Sequence, residues 1–420
     1  MRRLTNLLGT ALSALWLAIA CGNSDPAAAA GPGGVGGIGG TAGSAGTGGG
    51  VGGGGSAGAA GSSSGRGGSA DSGAPDGSDA SDSAGGNAGT ASGGDGGLTK
   101  PGTEPPIGPG PYAGMRPVAG TPASIGNTRI FDDLAGLIWN PTAQELLFVV
   151  GQNNKILRYR VGRSDAENFD VMRPGAEHQD DMKGLDFGPD GALWVCEARY
   201  ALPKRVSRSE GAYDRPVTVV DHWQATEGSA AQDFTSPWYI AVRWDGNAYF
   251  TDTPHRYSGE PNKRLFRIDP AGKLSLLKVY AKDSDLSEGG AYGIALAPNQ
   301  RAFYISTWNH PGYPELVRFD LARDGAVAKE TLVMTDQDGP IQSVDGLCVD
   351  QAENLFLCTG GGGVRMYSPA GAFLGSIDVP GATDCSFGGA DMKTLFVATS
   401  GSVAGDKNLY QVPMSIPGLP

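Results

Sequence analysis

The sequence predicts an all-β fold, a six-bladed β-propeller set behind a signal peptide and a long disordered linker rich in Gly, Ala and Ser. Three observations lead there. One strand–turn–strand pattern recurs six times along the chain. Its step of 39 to 55 residues is the size of a four-stranded blade. The last copy also lacks a fourth strand, which leaves a gap that a segment ahead of the first copy can fill.

Residues 1–20 read as a lipoprotein signal peptide. Arg2 and Arg3 give a positive start, and Leu7 to Ala20 is an apolar run of 14 residues, too short to span a bilayer comfortably. The run ends Ala18-Ile19-Ala20-Cys21, which resembles a bacterial lipobox with Ala18 in place of the preferred Leu. That resemblance implies cleavage before Cys21 and lipidation of it, and Gly22 after it favours the outer membrane. The expectation is an exported outer-membrane lipoprotein, facing periplasm or cell surface and attached to the membrane through its lipid alone.

Residues 21–111 carry almost no large apolar side chains and cannot bury enough surface to offset chain entropy. They are read as a disordered tether with a reach on the order of 50 Å. Residues 112–420 then form the propeller. Its anchor pieces are LAGLIW (134–139), MKGLDF (182–187), PWYIAV (237–242), AYGIAL (291–296), VDGLCV (344–349) and TDCSFG (383–388). A second strand follows each after a turn of Asp, Asn, Gly and Pro, as in ELLFVV and TLFVAT; such turns between apolar runs mark hairpins. A third strand follows in every copy and a fourth in most, among them VTVVDHW (217–223). The stretch TRIFDD (128–133) is expected to complete the last blade and close the ring.

The net charge is −12, and the acidic excess is spread along the chain without a basic stripe, which argues against nucleic acid as a partner. Ring closure within one chain predicts a monomer. Cys196, Cys348, Cys358 and Cys385 sit in apolar strand patterns and are read as buried thiols; Cys348–Cys358 is the pairing to expect were any formed.

The segment 343–397, with its D-G-L strand, G-G-V turn, P-x-G-x-x-L-G hairpin and C-x-F-G-G turn, resembles the gluconolactonase and regucalcin (senescence marker protein) family. FTDTP (250–254) and ALWVCE (192–197) fit that family's blades three and two. The resemblance implies lactone or ester hydrolysis at the top of the central channel, assisted by one divalent metal, calcium or zinc. The residues just before the anchor glycines would line that opening: Ala135, Lys183, Trp238, Tyr292, Asp345 and Asp384. The family's ligands are a Glu, an Asn and an Asp in blades one, four and five. Ala135 and Tyr292 replace the first two, so Asp345 is the one retained metal ligand and the candidate catalytic group, and the metal is expected to be weak or absent. Trp238 stands where a substrate-contacting Asn belongs.

Lys183, Trp238, Tyr292 and Asp384 are the candidate substrate-binding residues, a lining suited to a lactone, a sugar or a related polar compound with an apolar face. Asp180, Asp181, Asp252, His255 and Glu288 are nearby loop candidates. The alternative is a non-catalytic propeller that binds a small polar ligand or a protein partner. Other chemistries find no pattern. His178, His222, His255 and His310 are scattered, no nucleophile elbow opens a helix, Gly360–Gly363 reads as a hairpin turn, and DQDG (336–339) lacks the later ligands of a calcium loop.

Overall fold

The computed structural model describes residues 102–106, 110–127, 134–150, 155–161, 169–173, 180–199, 204–209, 216–226, 229–253, 263–280, 290–309, 313–335, 344–399 and 408–419. Outside them lie the signal peptide, Cys21, most of the expected linker, TRIFDD, DQDG, His178, His255, Glu288 and His310.

The strands run in chain order as follows. After β1 (Ala123–Asn127), blade one is β2 (Leu134–Asn140), β3 (Glu145–Val150), β4 (Lys155–Arg160) and β5 (Phe169–Arg173). Blade two is β6 (Asp180–Phe187), β7 (Leu193–Arg199), β8 (Arg205–Ser209) and β9 (Val217–Val220), followed by the small pair β10 (His222–Trp223) and β11 (Gln232–Asp233). Blade three is β12 (Pro237–Val242), β13 (Ala248–Asp252), β14 (Lys263–Ile268) and β15 (Leu274–Tyr280). Blade four is β16 (Gly290–Leu296), β17 (Ala302–Asn309), β18 (Tyr313–Leu321) and β19 (Val327–Thr335). Blade five is β20 (Leu347–Val349), β21 (Leu355–Cys358), β22 (Val364–Tyr367) and β23 (Phe373–Ile377). Blade six is β24 (Ala382–Gly388), β25 (Thr394–Thr399), β26 (Asn408–Pro413) and, returning from the start, β1.

Each blade is an antiparallel four-stranded sheet in simple up-and-down order. Burial follows position within the blade. The second strands β3, β13 and β21 are buried at every residue, because both of their faces meet a neighbouring sheet. The fourth strands β19 and β23 are largely open, with Leu332 and Phe373 about half exposed. The buried apolar residues fall into six clusters, and each cluster joins two neighbouring blades. Leu147 and Val149 meet Leu185 and Val195 between blades one and two. Around the ring, Phe356 and Val364 meet Cys385 and Val397 between blades five and six, and Phe148 and Tyr159 meet Phe396 and Leu409 between blades one and six. A linear solenoid would leave that last interface empty, so the ring is closed.

Closure is made by a different segment from the one expected. The outermost strand of blade six is β1, paired antiparallel to β26 through Ser124–Tyr410 and Asn127–Asn408, and Ile125 packs on the blade one–six cluster. Two smaller differences follow from local chemistry. VTVVDHW is not one strand, because the chain bends at Asp221 and His222–Trp223 pairs with Gln232–Asp233 instead. Contacts with the propeller also begin before residue 112. Gly102 donates its amide to the Trp244 carbonyl at 2.7 Å, and Glu104 pairs with Arg301 in a turn of blade four. The prolines around this piece reduce the entropy lost on docking it.

Candidate functional site

The anchor glycines are explained by close approach at the axis. The first strands β2, β6, β12, β16, β20 and β24 contact one another in sequence all the way round. A Cβ on Gly136 would stand 2.1 Å from the Lys183 carbonyl, and one on Gly184 2.6 Å from the Cα of Tyr239. Gly293 and Gly346 meet Asp345 and Asp384 in the same way. The residue preceding each glycine is thereby brought to one level of one ring.

At that level the structure joins three of the candidates. The Lys183 ammonium lies 4.7 Å from the centroid of the Trp238 ring, a cation–π contact between blades two and three. Trp238 in turn meets Tyr292 of blade four edge-on, with centroids 6.2 Å apart. Trp238, Tyr292 and Asp345 are half-buried, whereas Lys183 is only 7% exposed. The Tyr292 backbone is fixed by Thr251, whose hydroxyl donates to its carbonyl at 3.1 Å.

Asp384 is placed differently from its expected role in substrate binding. It is 4% exposed; its Oδ2 accepts the amide of Leu137 at 2.9 Å and its Oδ1 accepts that of Cys385 at 2.9 Å. The first strands β2, β6, β12 and β16 carry a one-residue register shift at the anchor position, and in β24 the shift falls earlier: Ala382 pairs with Thr399 and Asp384 with Ala398, leaving Thr383 over. One extra residue reverses which side chain faces which way. Thr383 is the half-buried residue of blade six, and Asp384 staples blade six to blade one. Burial, reinforced by Cys385, pushes its carboxyl up to about 8 despite amide hydrogen bonds from Leu137, Cys385 and Gly136. Asp186, which the sequence reading passed over, does the same work between blades two and three. It accepts the amide of Val242 at 2.6 Å, and burial pushes it up to about 7.

Asp252 is likewise structural. It is fully buried, accepts the amides of Thr235 (3.1 Å) and Ser236 (2.5 Å), and pairs with Arg264 at 3.1 Å. Asp180 and Asp181 lie on β6. Gly360–Gly363 forms the turn of the β21–β22 hairpin, as expected, with Thr359 donating its amide to the Gly363 carbonyl at 2.9 Å.

Two residues at the centre were missed. Tyr239 and Cys385 hold the third position of their anchor pieces, where the other four blades have glycine, and that departure was the available signal. Tyr239 is 8% exposed in the cluster between blades three and four, and its phenol is pushed up by burial first and by Asp384, Asp345, Cys358 and Cys385. Cys196, Cys348, Cys358 and Cys385 are all free thiols. The suggested Cys348–Cys358 pairing is excluded by register: Cys348 stands opposite Phe356, and Cys358 lies two residues further along β21. Diagonal separations of that kind, about 7–8 Å, exceed the reach of a disulfide.

The donor set does not fit the divalent ion of the family. Ala135 offers no ligand atom, Tyr292 presents an aromatic ring packed on Trp238, and Lys183 brings a cation to the same level. Among the described ring residues the carboxylates are Asp345 and the buried Asp384, whose oxygens accept from the Leu137 and Cys385 amides, where a calcium-like ion takes six to eight oxygen ligands. Among the described residues, no group of three or more His, Cys, Asp or Glu is arranged to hold a metal.

A closed ring of six four-stranded blades, with Lys183, Trp238 and Tyr292 brought together on three successive first strands, defines a six-bladed propeller. The chain belongs to the SMP-30/gluconolactonase/LRE-like family, whose model matches residues 134–401. A gluconolactonase of Zymomonas mobilis is 28% identical over 237 residues, 52% of this chain and 61% of that relative, so the match spans less than two thirds of the relative. Among solved structures, a gluconolactonase of Xanthomonas campestris aligns with a TM-score of 0.54 at 21% identity, over 76% of this chain and 99% of that one. The calcium-binding protein regucalcin of Agrobacterium tumefaciens aligns at 0.53 and 12% identity, over 69% and 92%. At those identities the likeness speaks for the fold.

Proposed function

We propose that the propeller is a lactone or ester hydrolase whose opening works through its own side chains in place of the family's metal. The observation that supports this reading is the run Lys183–Trp238–Tyr292 on three successive first strands, with Asp345 on the fifth blade of the same ring. Trp238 and Tyr292 offer an apolar platform to one face of a sugar-like ring. The Lys183 ammonium is the group able to take up negative charge developing on a carbonyl oxygen. Asp345 is the carboxylate that can accept a proton from the attacking water. Family membership favours lactones as the substrate class.

The test is opening of aldonolactones by the full chain, followed by acid release at constant pH. A rate above the spontaneous one is expected, with Asp345→Asn lowering kcat at least 100-fold and Lys183→Met lowering it by a similar order. Lactone binding without turnover would sink the hydrolase reading and support a non-catalytic binding propeller. That alternative has one observation in its favour, the loss of two ligand positions at Ala135 and Tyr292.

The same reading includes the chain's location. We infer that Cys21 carries lipid and that the Gly/Ser-rich tether holds the propeller off the outer membrane. Cys21→Ser is expected to move the protein from the membrane fraction to the soluble fraction; retention in the membrane would contradict the anchor.

A further inference from the structure

Three thiols meet where blades five and six touch. Gly346 donates its amide to the Thr383 carbonyl at 2.8 Å, which brings the backbones of two neighbouring first strands together. Blades repeat with one chain sense, so both strands run on in the same direction. Two residues further along each stand Cys348 and Cys385. Cys385 donates its thiol to the Phe356 carbonyl oxygen, with sulfur and oxygen 3.6 Å apart, and Phe356 is the residue that stands opposite Cys348 in blade five. Cys358 and Cys385 belong to the blade five–six cluster, with Cys348 packed against it.

The three differ in access. Cys358 is fully buried and Cys385 is 4% exposed, whereas Cys348 is half-buried and keeps contact with solvent. Cys196 sits apart, in the cluster between blades two and three. Burial holds the Cys348 thiol well above its ordinary value, so access, not acidity, makes it the sulfur that a peroxide meets first, with Cys385 on the neighbouring blade placed as a resolving thiol.

The geometry points to a redox modification site: a hydroperoxide oxidises Cys348, and Cys385 closes a disulfide that ties blade five to blade six at the axis. The Cys348 sulfur attacks the peroxide, the O–O bond breaks, and a sulfenic acid forms as one molecule of water or alcohol leaves. The Cys385 sulfur then displaces the hydroxyl group, an S–S bond forms, and the Cys385 proton departs with that hydroxyl as water. Two thiols and one hydroperoxide thus give one disulfide, one water or alcohol, and one further water. Cys358 is too far along its strand to bridge Cys348 directly and remains a thiol. The bridge would lie three residues from Asp345 and one from Asp384, so it would stiffen the wall beside the proposed opening.

The full chain, treated with stoichiometric hydrogen peroxide, would be alkylated under denaturing, non-reducing conditions and mapped by mass. Cleavage at Glu353 separates Cys348 from Cys358. The expected product is a cross-linked peptide pair joining Cys348 to Cys385, two mass units lighter than its parts, with Cys196 and Cys358 alkylated. Cys358→Ser should leave that pair intact, and Cys385→Ser should leave Cys348 as a sulfenic acid trapped by a dimedone-type reagent. A bridge that contains Cys358, or four domain thiols all alkylated after treatment, would overturn the inference. The readout is independent of lactone chemistry, so failure of the proposed activity leaves it standing.

Discussion

Asp384 shows how a single residue can be recruited from chemistry into architecture. Its carboxyl is raised by burial to about 8, well above the ordinary aspartate value near 4. Between those two values the folded protein keeps the proton and the unfolded chain releases it, so this group makes stability fall as pH rises from about 4 to about 8. The slope is up to about 1.4 kcal/mol per pH unit. Urea midpoints at pH 5 and pH 8 should therefore converge in Asp384→Asn relative to the parent; parallel shifts at both pH values would contradict this. At this scale the sequence was a partial guide. Lys183, Trp238 and Tyr292 were found together because one spacing from the anchor glycine governs all three. Asp384 was misjudged because a one-residue irregularity leaves no mark in composition. The meeting of Cys348, Cys358 and Cys385 depends on contact between blades, which no local pattern encodes.

Among elements, legibility followed burial. Second strands such as ELLFVV and TLFVAT stand out because both faces are covered, which demands nearly continuous apolar residues. The fourth strand of blade one, Phe169–Arg173, was not read, and the closing strand begins five residues before the segment expected to form it. ASIGN is small and polar, as suits an outer strand with Ser124 exposed, while TRIFDD displays Ile130 and Phe131 and so attracts a strand reading. The structural role of β1 can be tested at Ile125, its one large apolar residue. Ile125→Asp puts a charge against the blade one–six cluster and should cost about 1–2 kcal/mol of unfolding free energy. Val217→Asp on the outer strand of blade two, where the residue is 64% exposed, should stay within about 0.5 kcal/mol. Equal losses at the two sites would mean that β1 does not close the ring.

For the whole molecule, six apolar clusters join each blade to the next around the axis, and function falls to the residues presented on that scaffold. The fold and the family were legible in the repeat and in the 343–397 motifs. Ala135 and Tyr292 depart from the ligand set that the family resemblance implies, and the proposed metal-free opening rests on that departure. The most direct measurement is metal content of the purified full chain by elemental analysis, together with calcium titration by calorimetry. No stoichiometric ion and no saturable site at millimolar calcium are expected, with a site gained in Ala135→Glu/Tyr292→Asn. A tightly held ion, one per chain, would contradict the account and restore the metal to the centre of the chemistry.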